Sequence, residues 1–171
     1  MNEESLRISP VSKAELPDVL QDTINRLQEN KILGSTTSVR IWAHRPKIAL
    51  AWLQLIETFY TESALDERLR ELIRLRISAV TNCEACKVSR KSEKVSIRDV
   101  ACISNDESNF ERREINAMDF AARLAGDHET IDADIYERLK LDFSNAQIVE
   151  INMFAALMMA GGRMTYAQKA Y

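Results

Sequence analysis

Two cysteines three residues apart, Cys83 and Cys86, are the side chains in this sequence best suited to do chemistry. On a helix that spacing puts both sulfurs on one face, with Cα atoms roughly 5–6 Å apart, a separation compatible with a disulfide. The pair reads as the start of a helix, where unpaired amide N–H groups and the macrodipole favour a thiolate. A thiolate attacks peroxides or disulfides, and a neighbouring thiol then resolves the product. A carboxylate and a cation stand in register with the pair. Thr81 and Asn82 break the preceding helix, and if the two helices run antiparallel about that turn, Glu71 and Arg90 lie at one level. Glu71, Leu75 and Ser78 then form one stripe and Cys83, Cys86 and Arg90 another, and the two stripes converge.

Other uses of these residues are weaker. A structural zinc site wants four ligands, and neither a second C-x-x-C nor a paired histidine motif supplies them. Lys87 follows Cys86, so the c-type haem attachment motif is absent. No metal and no cofactor is therefore expected. The bland reading of Cys83 and Cys86 is a pair of small buried side chains; that of Glu71 is a solvated or ion-paired helix residue. Cys102 reads as core, His44 as a packing residue beside Trp42 and Pro46, and His128 as exposed in a polar loop. Arg68, Arg70, Arg74 and Arg76 read as a solvated face or as intersubunit salt bridges. The Met-rich stretch with Met153, Met158, Met159 and Met164 reads as core or oligomer interface.

The elements that must position the pair are helical. With four glycines and three prolines in 171 residues, turns are few and elements long, which points to an all-α fold. Ser12 and Glu15 form a capping box ahead of Leu16, Leu20, Ile24 and Leu27, with Pro17 near the true start and Asn30 and Gly34 at the end. A short apolar segment spans 38–45, stopped or kinked by Pro46. Ile48, Trp52, Leu55, Ile56 and Phe59 form the next stripe. Asp66 caps a helix whose buried face is Leu69, Leu72, Ile73, Ile77 and Val80. The cysteine helix runs from about Cys83 to about Val95, and Ser96 with Asp99 caps a short one. Ser108 and Glu111 open a helix bearing Ile115, Met118, Ala122 and Leu124; another carries Ile135 and Leu139. Ser144 and Gln147 cap a long apolar helix from Ile148 to Ala160 that ends at Gly161-Gly162. No alternating run long enough for a β-strand is present.

Length and composition bound the rest. One domain is expected over 1–171, and 46% hydrophobic with 29% charged residues is ordinary for a soluble globular chain. A net charge of −3 gives no electrostatic reason to expect nucleic acid or an anionic membrane as a partner. The polar, acidic N-terminus lacks the basic and apolar regions of a signal peptide. No apolar run approaches the roughly 20 residues needed to span a bilayer. A cytoplasmic location is the expectation, and in a reducing compartment a close cysteine pair is more often catalytic or redox-active than structural.

The spacing Glu71, eleven residues, Cys83, two residues, Cys86, with its lead-in SALDERLRELIRLRISAVTNCEAC, resembles the carboxymuconolactone decarboxylase and alkylhydroperoxidase D family. The resemblance runs from about Ser38 through the last helix, making 38–171 the core and 1–37 an N-terminal helical extension. It implies an all-α bundle, commonly assembled as a trimer or hexamer, and a thiol-dependent peroxidase. Cys86 would be the peroxide-attacking thiol and Cys83 the more exposed resolving thiol, recycled by a dithiol such as a lipoyl or thioredoxin-like protein. Glu71 and a histidine four residues beyond the second cysteine would form a proton relay. Here that position is Arg90, which stays protonated and is no base near neutral pH. It can instead lower the pKa of Cys86 by its charge or ion-pair with Glu71. The alternatives are a lyase of the decarboxylase type, whose members do not depend on a C-x-x-C, and a non-catalytic oligomer with redox-sensing or structural cysteines.

Overall fold

The short helix before Pro46 ends at Trp42, and Pro46 itself starts the next one. The computed structural model describes residues 6–83, 90–103 and 107–170, and among these all regular structure is helical. Eight α-helices appear there: α1 Asp18–Glu29, α2 Thr37–Trp42, α3 Pro46–Thr61, α4 Glu67–Val80, α5 Ile97–Cys102, α6 Arg112–Gly126, α7 Ala133–Lys140 and α8 Asn145–Gln168. Pro46 occupies the first turn of α3, where its missing N–H costs no intrahelical bond and its fixed φ suits the helix. The chain divides into two compact units, residues 1–62 with 164–171, and residues 63–163.

In the first unit the Ser12–Glu15 box closes a single 3-10 turn, and Pro17 then sets the N-terminus of α1. Leu16, Leu20, Ile24 and Leu27 pack against Val39, Ala43, Ala49 and Leu53, and Arg26 spans α1 and α3 with a two-pronged bond to Glu57. The helix stripe of α3 is turned from the expected one. Ala49, Leu53 and Phe59 are buried, whereas Ile48 is 59% and Leu55 39% exposed. Lys47, Gln54, Thr58 and Thr61 mark the outer face of α3, but the apolar arc opposite is wider than the face it buries, so Ile48 and Leu55 fall on its exposed flank. The N-terminal strand of chain is tied down: Arg7 donates to the carbonyls of Ala167 and Gln168, His44 to that of Ser9, and Arg40 to that of Val11.

In the second unit α4 and α6 form the central pair. Leu72, Leu75, Val95, Ile103 and Met118 make one cluster, and Leu69, Ile73, Phe120, Ile135, Leu139, Ile151 and Phe154 are also fully buried. The predicted caps are present. Asp66 Oδ1 accepts the Leu69 N–H at 2.9 Å, Ser96 and Asp99 close a reciprocal box, and Ser144 Oγ accepts from Gln147 N–H at 3.3 Å. Three boundaries differ from expectation. Helix α6 begins at Arg112, with the Glu111 N–H bonded to Glu114 at 3.0 Å, so Ser108 is not its cap. Residues 90–95 are not helical, which ends any cysteine helix before Arg90. Helix α8 passes through Gly161-Gly162 and stops at Lys169, whose φ of 53° and bonds from Ala170 N–H to Thr165 and Lys169 N–H to Tyr166 make a Schellman turn. Two adjacent glycines weaken a helix but do not remove its hydrogen bonds, and neither is in the left-handed region here.

Candidate redox site at the end of helix α4

The turn after α4 is what delivers Cys83. Thr81 stays in the α region, Asn82 takes φ 53°, and the Cys83 N–H returns to the Ser78 carbonyl at 3.0 Å. This is again the six-to-one bond of a Schellman turn, and asparagine is the residue after glycine that best tolerates its left-handed position. Cys83 is thereby turned inward, at 8% exposure. It is disulfide-bonded, whereas Cys102 at the end of α5 is not in a disulfide and is half-buried rather than core. Gly162 of α8 faces it: a Cβ at that position would stand 4.0 Å from both Cβ and Sγ of Cys83. Cys86 and the stretch 84–89 lie outside the described residues.

The stripe Glu71, Leu75, Ser78 lies on the buried face of α4, as its spacing predicts. Glu71 is 2% exposed and lies in a cluster of cations. Its principal partner is Arg74, one turn on, which donates Nε–H to Oε2 at 2.7 Å and Nη2–H to Oε1 at 2.8 Å. The Lys91 backbone N–H donates to Oε1 at 3.0 Å, and Arg90 Nε lies 4.0 Å from the same oxygen. Arg90 therefore does come to Glu71, but as its outer neighbour, and its Nη2 donates to the carbonyls of Ser92 and Val95. Arg74, read from the sequence as surface or intersubunit, is 6% exposed and intramolecular. The i,i+3 spacing of Glu71 and Arg74 was the available signal. Lys91 carried none. Burial first, and the Arg74 guanidinium second, push its ammonium pKa below the usual lysine value, while Glu71 pulls the other way.

The segment after the cysteines is clamped to α4 by a second arginine. Arg68 bonds Glu114 of α6 at 2.7 Å, Asp99 of α5 at 2.9 Å and the Lys94 carbonyl at 2.9 Å. Its hydrogen bond, helped by those from Ser96, pulls the buried Asp99 carboxyl down to about 2. Arg76 donates to the Ile103 carbonyl at 3.1 Å. Arg68 and Arg76 are thus internal braces, not a solvated face. Among the described residues no three histidine, cysteine or acidic side chains gather as a metal site.

Residues 46–90 match the carboxymuconolactone decarboxylase family. The family resemblance holds. It spans the start of α3 to Arg90 and so contains Glu71, Cys83 and Cys86. A comparison with curated protein sequences finds no match. Solved structures extend the likeness to the whole chain. A cysteine-to-alanine variant of the debrominase Bmp8 in complex with 2,3,4-tribromopyrrole is 15% identical with TM-score 0.83, over 98% of this chain and 92% of that one. An uncharacterized peroxidase-related protein from Silicibacter sp. is 18% identical with TM-score 0.78, over 96% and 92%. An alkylhydroperoxidase AhpD core protein from Ralstonia eutropha is 20% identical with TM-score 0.70, over 92% and 87%. At such identities the likeness is one of fold, and the all-α expectation of the alkylhydroperoxidase D type is borne out.

Proposed function

We propose that this chain is a thiol-dependent peroxidase of the cytoplasm, a homo-oligomer in which Cys86 attacks the peroxide and Cys83 resolves it. The observation that carries this reading is a disulfide-bonded Cys83 held at the end of α4, on the helix whose buried face carries the Glu71 cluster. In the first step the Cys86 thiolate attacks one peroxide oxygen; the O–O bond breaks, the sulfur is oxidised to a sulfenic acid, and the leaving oxygen takes a proton and departs as alcohol or water. The Cys83 thiol then attacks the sulfenic sulfur, forming the S–S bond and releasing water. An external dithiol, of lipoyl or thioredoxin type, reduces the disulfide by exchange.

In this reading Glu71 is a positioning residue and not a proton carrier. Both of its oxygens accept from Arg74, and one also holds the Lys91 backbone, which fixes the chain beyond the cysteines. Arg90 and Arg74 supply positive charge that favours a thiolate. Lys91 is the group of this cluster able to take up and release a proton, a task closed to arginine.

Peroxide added to the reduced protein should consume two thiols, and a dithiol should restore them. Cys86→Ser should abolish the reaction and Cys102→Ser should leave it intact; a native protein whose thiols ignore peroxide ends this reading. A second reading is favoured by the fold likeness to the debrominase. There the same dithiol would give two electrons to a carbon–bromine bond, replacing bromine by hydrogen and yielding disulfide and hydrogen bromide. Bromide release from 2,3,4-tribromopyrrole, without turnover of peroxide, would select it.

A further inference from the structure

Within the unit of residues 1–62 and 164–171 lies a cavity of about 390 Å³ that the redox chemistry leaves unexplained. Its wall is mostly apolar, with Ile8 and Ile48 beside two tryptophans, Trp42 and Trp52. The indole rings stand edge to face, centroids 5.8 Å apart at 68°, so the lining offers a flat aromatic face and an aromatic edge together. Ile8 reaches the wall because the N-terminal segment is fastened there, by Arg7 to the end of α8 and by the Ser9 carbonyl to His44. The volume is at the lower end of the range for small-molecule sites and suits a ligand of one or two rings.

Apart from His44, whose Nε2–H goes to the Ser9 carbonyl and leaves Nδ1 an acceptor, the polar side chains at this cavity offer donors. Arg45 makes no ion pair with any described residue, and its guanidinium can only donate. Gln168 has its amide orientation set by Trp42, whose Nε1–H donates to Gln168 Oε1 at 3.0 Å, which leaves the Gln168 NH₂ group as a donor. The first turn of α3 adds to this, since no side chain caps it and its N-terminus carries partial positive charge. A neutral apolar guest would leave these donors unanswered. We propose that this cavity binds a small planar aromatic anion, the ring against Trp42 and Trp52 and the anionic oxygen toward Arg45 and Gln168.

The test is calorimetric titration of the full chain with 4-chlorobenzoate, 4-chlorobenzamide and cyclohexanecarboxylate. The first should bind saturably, with Kd below about 1 mM as its size allows. The neutral amide and the non-aromatic acid should each bind about tenfold more weakly. Arg45→Gln should erase the preference for the acid over the amide, and Trp52→Leu the preference for the aromatic over the saturated ring. Both side chains are on the cavity wall and outside the buried core, so circular dichroism should show both variants folded. Tryptophan emission should change with ligand in the parent protein. Equal affinity for the three compounds, or affinities unmoved by both substitutions, would overturn the proposal, as would no binding of 4-chlorobenzoate.

Discussion

At the scale of single residues, the cations around Glu71 set the work available to it. A carboxylate facing a histidine can pass a proton; one held by Arg74 on both oxygens, with Arg90 behind it, is an anchor. Its removal should therefore register as stability before it registers as proton transfer. Glu71→Gln removes the charge from the two-pronged bond to the buried Arg74 guanidinium and should cost about 3 kcal/mol or more in urea unfolding. Glu71→Leu with Arg74→Met should cost clearly less than the sum of the single changes, because both single changes break the same two-pronged bond. Additive losses would mean the pair is not coupled. Lys91 makes a separate prediction in pH. Its pKa is lowered on folding, so between that value and the ordinary 10.5 the unfolded chain binds more protons than the folded one. The stability of the parent relative to Lys91→Met should accordingly rise with pH across that window and level off above it. A difference that stays flat or falls up to about pH 10.5 would refute the buried-lysine account.

At the scale of elements, what was legible in the sequence was local and what was not was tertiary. Asp66, Ser96 and Ser144 announce helix starts because a cap is a bond between residues three apart. The Leu16–Leu27 stripe finds its core because the opposite face of α1 is polar, while the apolar arc of α3 is wider than the face it buries. Arg90 lies 4.0 Å from Glu71, but from a non-helical segment and not from the antiparallel helix that the spacing predicts; Arg74 is the stronger partner, which follows only once both sit on the buried side of α4. Gly161-Gly162 reads as a stop, yet α8 runs on through it to Gln168 with neither glycine in the left-handed region. Helix interior glycine is entropically costly, and a Cβ at position 162 meets nothing nearer than 4.0 Å. Gly162→Ala should then raise stability by up to about 1 kcal/mol, seen as a higher midpoint in thermal unfolding. It should also slow alkylation of reduced Cys83 by a bulky maleimide, since the added methyl stands against the sulfur. A lowered midpoint would show that this close face of α8 has no room to spare.

For the whole molecule, the remaining question is what covers the apolar side chains that neither unit buries. Single exposed hydrophobes are normal, but Val149 and Met153 are one turn apart on α8, at 57% and 52% exposure, and so form a common patch. In the proposed homo-oligomer such a patch on a long helix would be a contact surface. The resemblance that suggests trimers or hexamers supplies the occupant, a second copy of the chain. Sedimentation velocity should then give a mass that is a multiple of 19.5 kDa for the parent protein. Val149→Lys with Met153→Lys should shift it toward the monomer. Because both side chains are exposed within one chain, that double variant should keep its helical content and lose only the concentration-dependent part of its thermal stability. An assembly unaffected by two lysines here would place the interface elsewhere, and a parent protein that sediments as a monomer would refute the oligomer itself.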